Sequence, residues 1–175
     1  MKNLLETQRW HYEAISNKTK TYFSEIKLSH LFYNFFDKYS FSNDIKFNKI
    51  IYDKVNNFAD VNIEMLKFED RTQYLIIGQG LNGDPIAINL KTLTIGFIFH
   101  DILFENINTN IDKIFIRMNY SIEEIYYNAI FENNFPCDAY EAEIYNRNSQ
   151  NGTYGANVII RDRDDGAFKG SGIPN

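Results

Sequence analysis

Two stretches of this chain hold residues whose types and order suggest chemistry: His100-Asp101 and Gly78-Gln79-Gly80-Leu81-Asn82-Gly83. A histidine beside an aspartate has the components of an acid–base pair. The preceding run, Thr94-Ile95-Gly96-Phe97-Ile98-Phe99, alternates like a strand, and adjacent strand residues project to opposite faces. His100 and Asp101 are therefore expected to form a polar cluster at a strand end, with no catalytic residue among them. The glycine stretch matches a dinucleotide-binding pattern. That chemistry needs a helix starting on the glycines, so that its N-terminus holds the pyrophosphate. Here Asp84-Pro85-Ile86-Ala87-Ile88-Asn89-Leu90 follows and alternates like another strand. Asp101 lies about 20 residues on, where an acidic ribose ligand would fall, but no βαβ unit surrounds it. The stretch is read as a connection between antiparallel strands, with glycines supplying positive φ, and no cofactor is expected.

Other candidates fail on ligand chemistry. Asp162-Arg163-Asp164-Asp165-Gly166 suggests a calcium loop. With Gly166 as the sixth residue, Arg161 and Arg163 would occupy ligand positions, and neither can coordinate a cation. His11, His30 and His100 offer no pair at the four-residue spacing of a helical zinc site. The single cysteine, Cys137, excludes an intrachain disulfide and a cysteine cluster. Its expected role is that of a small buried hydrophobe. No metal site is expected.

The elements that position these residues follow from periodicity. Leu31, Phe32, Phe35, Phe36 and Tyr39 recur at three- and four-residue steps behind Ser29, which predicts a capped amphipathic helix. Phe47, Ile50, Ile51, Val55 and Phe58, behind Asn43, predict a second. Trp10 to Phe23 carries a weaker helical pattern. The period then changes. Tyr74-Leu75-Ile76-Ile77, Ile86 to Leu90 and Thr94 to Phe99 predict an antiparallel meander. Ile63 to Phe68 adds a candidate fourth strand, and Ile114-Phe115-Ile116 is a further short apolar run. Ser121-Ile122-Glu123-Glu124 is a capping box opening a helix that ends near Asn133, Asn134 and Pro136. The expected fold is α+β, an antiparallel sheet of four to six strands with helices on one side and at the C-terminal end. One domain is expected over residues 1–150, followed by a glycine-rich, charged tail over 151–175 with one candidate strand at Val158-Ile159-Ile160.

Composition sets outer limits. A chain of 175 residues that is 44% hydrophobic can build one core without disulfides. A net charge of −5 without a basic stripe argues against direct nucleic-acid binding. No run approaches the roughly 20 apolar residues of a membrane span. Glu6 and Arg9 interrupt any apolar leader, so the expected location is cytoplasmic.

The order of elements resembles the SUKH superfamily, which includes fungal cell-wall synthesis regulators and many bacterial immunity proteins. The resemblance spans roughly residues 25 to 135. It is carried by Tyr74 to Gly78, Leu81-Asn82-Gly83-Asp84-Pro85-Ile86-Ala87-Ile88-Asn89, Ile95-Gly96-Phe97-Ile98-Phe99-His100-Asp101 and Ser121 to Phe131. The chain departs from the family in lacking a Pro/Gly-punctuated opening, and residues from about 151 on have no counterpart. The resemblance implies a binding protein that neutralises a toxin, such as a nuclease or deaminase, with no catalytic residues to carry over. An acidic protein suits a partner that must itself be basic to grip nucleic acid. The expected partner-binding residues are Asn82, Asp84, His100, Asp101 and Glu105. A regulatory interaction module of the same fold is the alternative. A small enzyme or ligand-binding domain using His100 and nearby carboxylates is the third reading.

Overall fold

The computed structural model describes residues 11–105 and 108–150. The expected tail, its strand at Val158-Ile159-Ile160 and Trp10 lie outside the described residues.

The chain runs α1 (Asn17–Glu25), α2 (His30–Lys38), β1 (Ile45–Phe47), β2 (Ile50–Tyr52), α3 (Phe58–Met65), α4 (Phe68–Arg71) and β3 (Tyr74–Gln79). It continues through β4 (Pro85–Asn89), β5 (Thr94–Ile98), α5 (His100–Glu105), β6 (Phe115–Met118), α6 (Ile122–Phe131) and α7 (Ala139–Gln150). The six strands form one sheet in sequence order, and every neighbouring pair is antiparallel. The α+β architecture is the expected one.

Alternation along β3 divides the core. Leu75 and Ile77 join Ile86, Ile88, Ile95 and Phe97 in the larger cluster, packed against the buried residues of α1, α2, α6 and α7. Tyr74 and Ile76 join Ala87 and Ile98 in a smaller cluster on the other face, against which Val61 and Met65 of α3 and Leu103 of α5 pack. Aromatic rings dominate the larger cluster. Tyr52 stacks on Tyr126 at 3.8 Å, and Phe36 meets Phe58 edge-on at 5.1 Å. Each such buried ring contributes on the order of 1.5–3 kcal/mol.

Three expectations about elements are corrected. The helix expected over Phe47 to Phe58 is instead the β1–β2 hairpin, followed by a 3-10 turn and α3. Phe47 pairs with Ile50 across the two-residue turn Asn48-Lys49, and Asn48 takes φ 51°, which asparagine tolerates. A two-residue turn sets its flanking pair three residues apart, which imitates a helical step. The strand expected at Ile63 to Phe68 is instead the end of α3 and the start of α4, with Leu66 buried and Ile63 and Phe68 exposed. The weak helical pattern from Trp10 yields a helix only from Asn17. There the Ser16 hydroxyl accepts from the Thr19 amide, while Tyr12 forms an isolated bridge with Phe41.

Two signals hold as read. Ser121 and Glu124 form both halves of the capping box. The glycine stretch bends between β3 and β4, with no helix starting on it.

Candidate functional site

Three segments meet at one end of the sheet: the β3–β4 connection, the start of α5 and the start of α7. Asp84 joins them. Its side chain is only 1% exposed. One carboxylate oxygen accepts the His100 amide at 3.0 Å and the His100 Nδ1–H at 2.7 Å. The other accepts the Ala139 amide at 2.8 Å. A buried carboxylate is tolerated when donors surround it, and three N–H groups do so here.

The glycines make this meeting possible. Gly83 takes φ 82°, where a side chain would be strained. A Cβ on Gly80 would stand 2.1 Å from the Cys137 carbonyl oxygen. That close approach lets the Leu81 amide donate to the same carbonyl at 2.7 Å, tying the connection to the residues before α7. The pattern that suggested a phosphate cradle is thus explained by turn geometry and packing.

The expectation that His100 and Asp101 point apart is corrected. β5 ends at Ile98 and His100 opens α5, so helical geometry replaces strand alternation. His100 Nε2 lies 2.7 Å from Asp101 Oδ1. Each ring nitrogen therefore faces a carboxylate, and the imidazole can donate to both only when doubly protonated.

Asn82, His100, Asp101 and Tyr140 line a cleft of about 330 Å³. Asn82 Nδ2 donates to Asp138 Oδ2 at 2.9 Å, and Asp138 Oδ1 caps α7 by accepting the Glu141 amide at 2.8 Å. Burial raises the Asp138 carboxyl, opposed by the backbone N–H groups bonded to it. The Tyr140 ring packs edge-on against Phe99 at 4.7 Å.

Of the expected partner-binding residues, the structure brings together Asn82, Asp84, His100 and Asp101. Asp84 is corrected from contact residue to buried support: a side chain so enclosed presents nothing to a partner. Glu105 lies exposed at the end of α5 and does not line the cleft. Tyr140 and Asp138 escaped the sequence reading with the whole of α7, which is polar along most of its length. The available signal was Asp138-x-x-Glu141 ahead of Ala139 and Ala142, an N-cap followed by small residues on one face.

Cys137, Asp138 and Glu141 bring potential ligand atoms within 4.8 Å of one another. Their contacts point to local structure. Glu141 Oε2 accepts the Cys137 amide at 3.0 Å and the Cys137 thiol at 3.1 Å. Burial, reinforced by that bond, pushes the thiol up to about 12, so it stays protonated and unreactive near neutrality. Cys137 is buried, as expected.

The fold and site define an α+β protein with an antiparallel meander and a polar cleft at one sheet end. No family model, no curated protein and no solved structure matches the chain. No helix among the described residues is long and apolar enough to cross a membrane.

Proposed function

We propose that this protein is an immunity-type binding protein, one that neutralises a basic toxin domain by forming a stoichiometric complex with it in the cytoplasm. The observation that carries this reading is the composition of the segments bordering the cleft. Leu81 on the β3–β4 connection, Ile102 and Phe104 on α5, and Tyr140 on α7 are exposed, Phe104 to 60%. Asp101 and Glu105 are exposed beside them. Apolar and aromatic anchors within a charged polar rim are the anatomy of a protein interface. The negative rim suits a partner that binds nucleic acid through basic residues, and opposite fields accelerate encounter. Asp84 holds the three bordering segments to one another, so little ordering entropy is lost on docking. The likeness of the element order to SUKH proteins points the same way.

The test is co-expression with toxins encoded beside the gene, followed by isolation of a complex. The expected result is growth rescue and a 1:1 complex, with an interface of about 1,600 Å² in total. Failure of every neighbouring gene product to bind or to be neutralised would overturn the reading.

A further inference from the structure

We infer that the cleft lined by Asn82, His100, Asp101 and Tyr140 is a receptor for one arginine side chain of the partner, an inference that rests on the binding function proposed above and specifies its central contact. The lining offers acceptors and an aromatic ring, and holds neither lysine nor arginine. Asn82 spends its Nδ2 on Asp138, which leaves Oδ1 as its acceptor. Asp101 uses one oxygen toward His100 Nε2, and its side chain is 57% exposed. The trio Asp84, His100 and Asp101 carries net negative charge whether the ring holds one proton or two. A cation is therefore the ligand charge that the cleft favours.

Shape selects the guanidinium among cations. Tyr140 is held by Phe99 at 4.7 Å and presents an exposed ring at the cleft. A planar guanidinium can stack on an aromatic face while its N–H fork bonds a carboxylate. A lysine ammonium is a compact, strongly hydrated point charge and uses this arrangement less well. The cleft of about 330 Å³ has room for one such side chain.

The probe is Nα-acetyl-arginine amide, titrated into the ¹⁵N-labelled protein and followed by two-dimensional NMR. Nα-acetyl-lysine amide and the uncharged citrulline analogue are run in parallel. The expected result is saturable shifts centred on Asn82, His100, Asp101 and Tyr140, weaker for lysine and absent for citrulline. Asp101→Asn should weaken arginine binding about tenfold, equivalent to about 1.4 kcal/mol, and Tyr140→Leu should abolish the preference for arginine over lysine. Both side chains are exposed, and an unchanged remainder of each spectrum verifies the fold. Shifts that do not saturate, that centre elsewhere, that citrulline reproduces or that Asp101→Asn leaves unaltered overturn the arginine site. Toxin binding by the wild-type protein would survive that result, and its own failure appears in the co-expression test.

Discussion

Two buried polar side chains, Asn62 and Asp84, each hold separate parts of the chain together, and they do so with opposite chemistry. Asn62 on α3 is fully buried. Its Nδ2 donates to the carbonyls of Phe58 and Ile76 at 2.8 Å each, and its Oδ1 accepts the Ile76 amide at 2.7 Å. β2 pairs only with Gly78 and Gln79 of β3. The Asn62 amide therefore completes the hydrogen bonding of Ile76, where the neighbouring strand has ended. It is both donor and acceptor, and every group it meets is closed off from solvent. Asp84 is acceptor only, ringed by three N–H groups, and two of them belong to His100, a partly exposed histidine that lines an open cleft. A neutral amide suits a backbone edge that presents both an N–H and a C=O. A carboxylate suits a junction where only donors converge, and it brings charge to the floor of a site. The first is a fastening with no outlet to the surface; the second joins the fold to the surface proposed to bind.

The largest expected effect comes from giving Asn62 the chemistry of Asp84. Asn62→Asp keeps the shape but turns a carboxylate toward two carbonyls. An uncompensated buried charge costs about 3–5 kcal/mol. Urea unfolding should show a loss of that size with unchanged cooperativity. A loss below about 1 kcal/mol would be that of an ordinary surface substitution and would break the comparison.

The reciprocal change, Asp84→Asn, should cost about 2–4 kcal/mol, since its amide NH₂ must face an N–H and strand a buried donor. Its signature is local. Hydrogen exchange should quicken at the His100 and Ala139 amides more than at the paired amides of β3 and β4, because the junction opens before the sheet does. Equal acceleration throughout the sheet would show that Asp84 fastens the whole fold, as Asn62 does, and does not specifically organise the cleft.

The same contrast explains what was legible in the sequence. The central strands β3, β4 and β5 were readable because their apolar runs are bounded by glycine, proline and turn residues, and the α6 cap because both halves lie within four residues. The site residues around Asn82, Asp84, His100 and Asp101 were found through their positions at strand ends. Their roles were not. Whether Asp84 is buried depends on α7 arriving from 55 residues away to donate the Ala139 amide. Asn62 was invisible for the same reason, since its partner Ile76 lies 14 residues on and its type suits a polar helix face equally well. The hairpin at Asn48-Lys49 was misread because Phe47 and Ile50 satisfy two periods at once. Local pattern specifies an element; a buried polar residue is specified by what the fold brings to it.

A third side chain sharpens the comparison with the smallest effect. Asp53 follows β2 and is partly buried. Among the described residues no N–H or O–H donates to its carboxylate, whereas that of Asp84 has three donors. Burial, with Asp44 nearby, raises its carboxyl from the ordinary 3.8 to about 6. The folded state thus holds this proton more tightly than the unfolded chain does. The associated stability is fully present below about pH 4 and is lost as pH rises through about 6. Near neutrality the ionised group destabilises the fold by about 1–2 kcal/mol, after allowing for solvent screening of a partly exposed site. Asp53→Asn should therefore raise stability at pH 7 by about that amount, leave it little changed at pH 4, and flatten the fall between the two. Urea unfolding at several pH values measures this. If the substitution destabilised the protein at pH 7, a partly buried carboxylate without donors would be stabilising the fold, and the rule that buried charge here requires converging donors would fail at its simplest test.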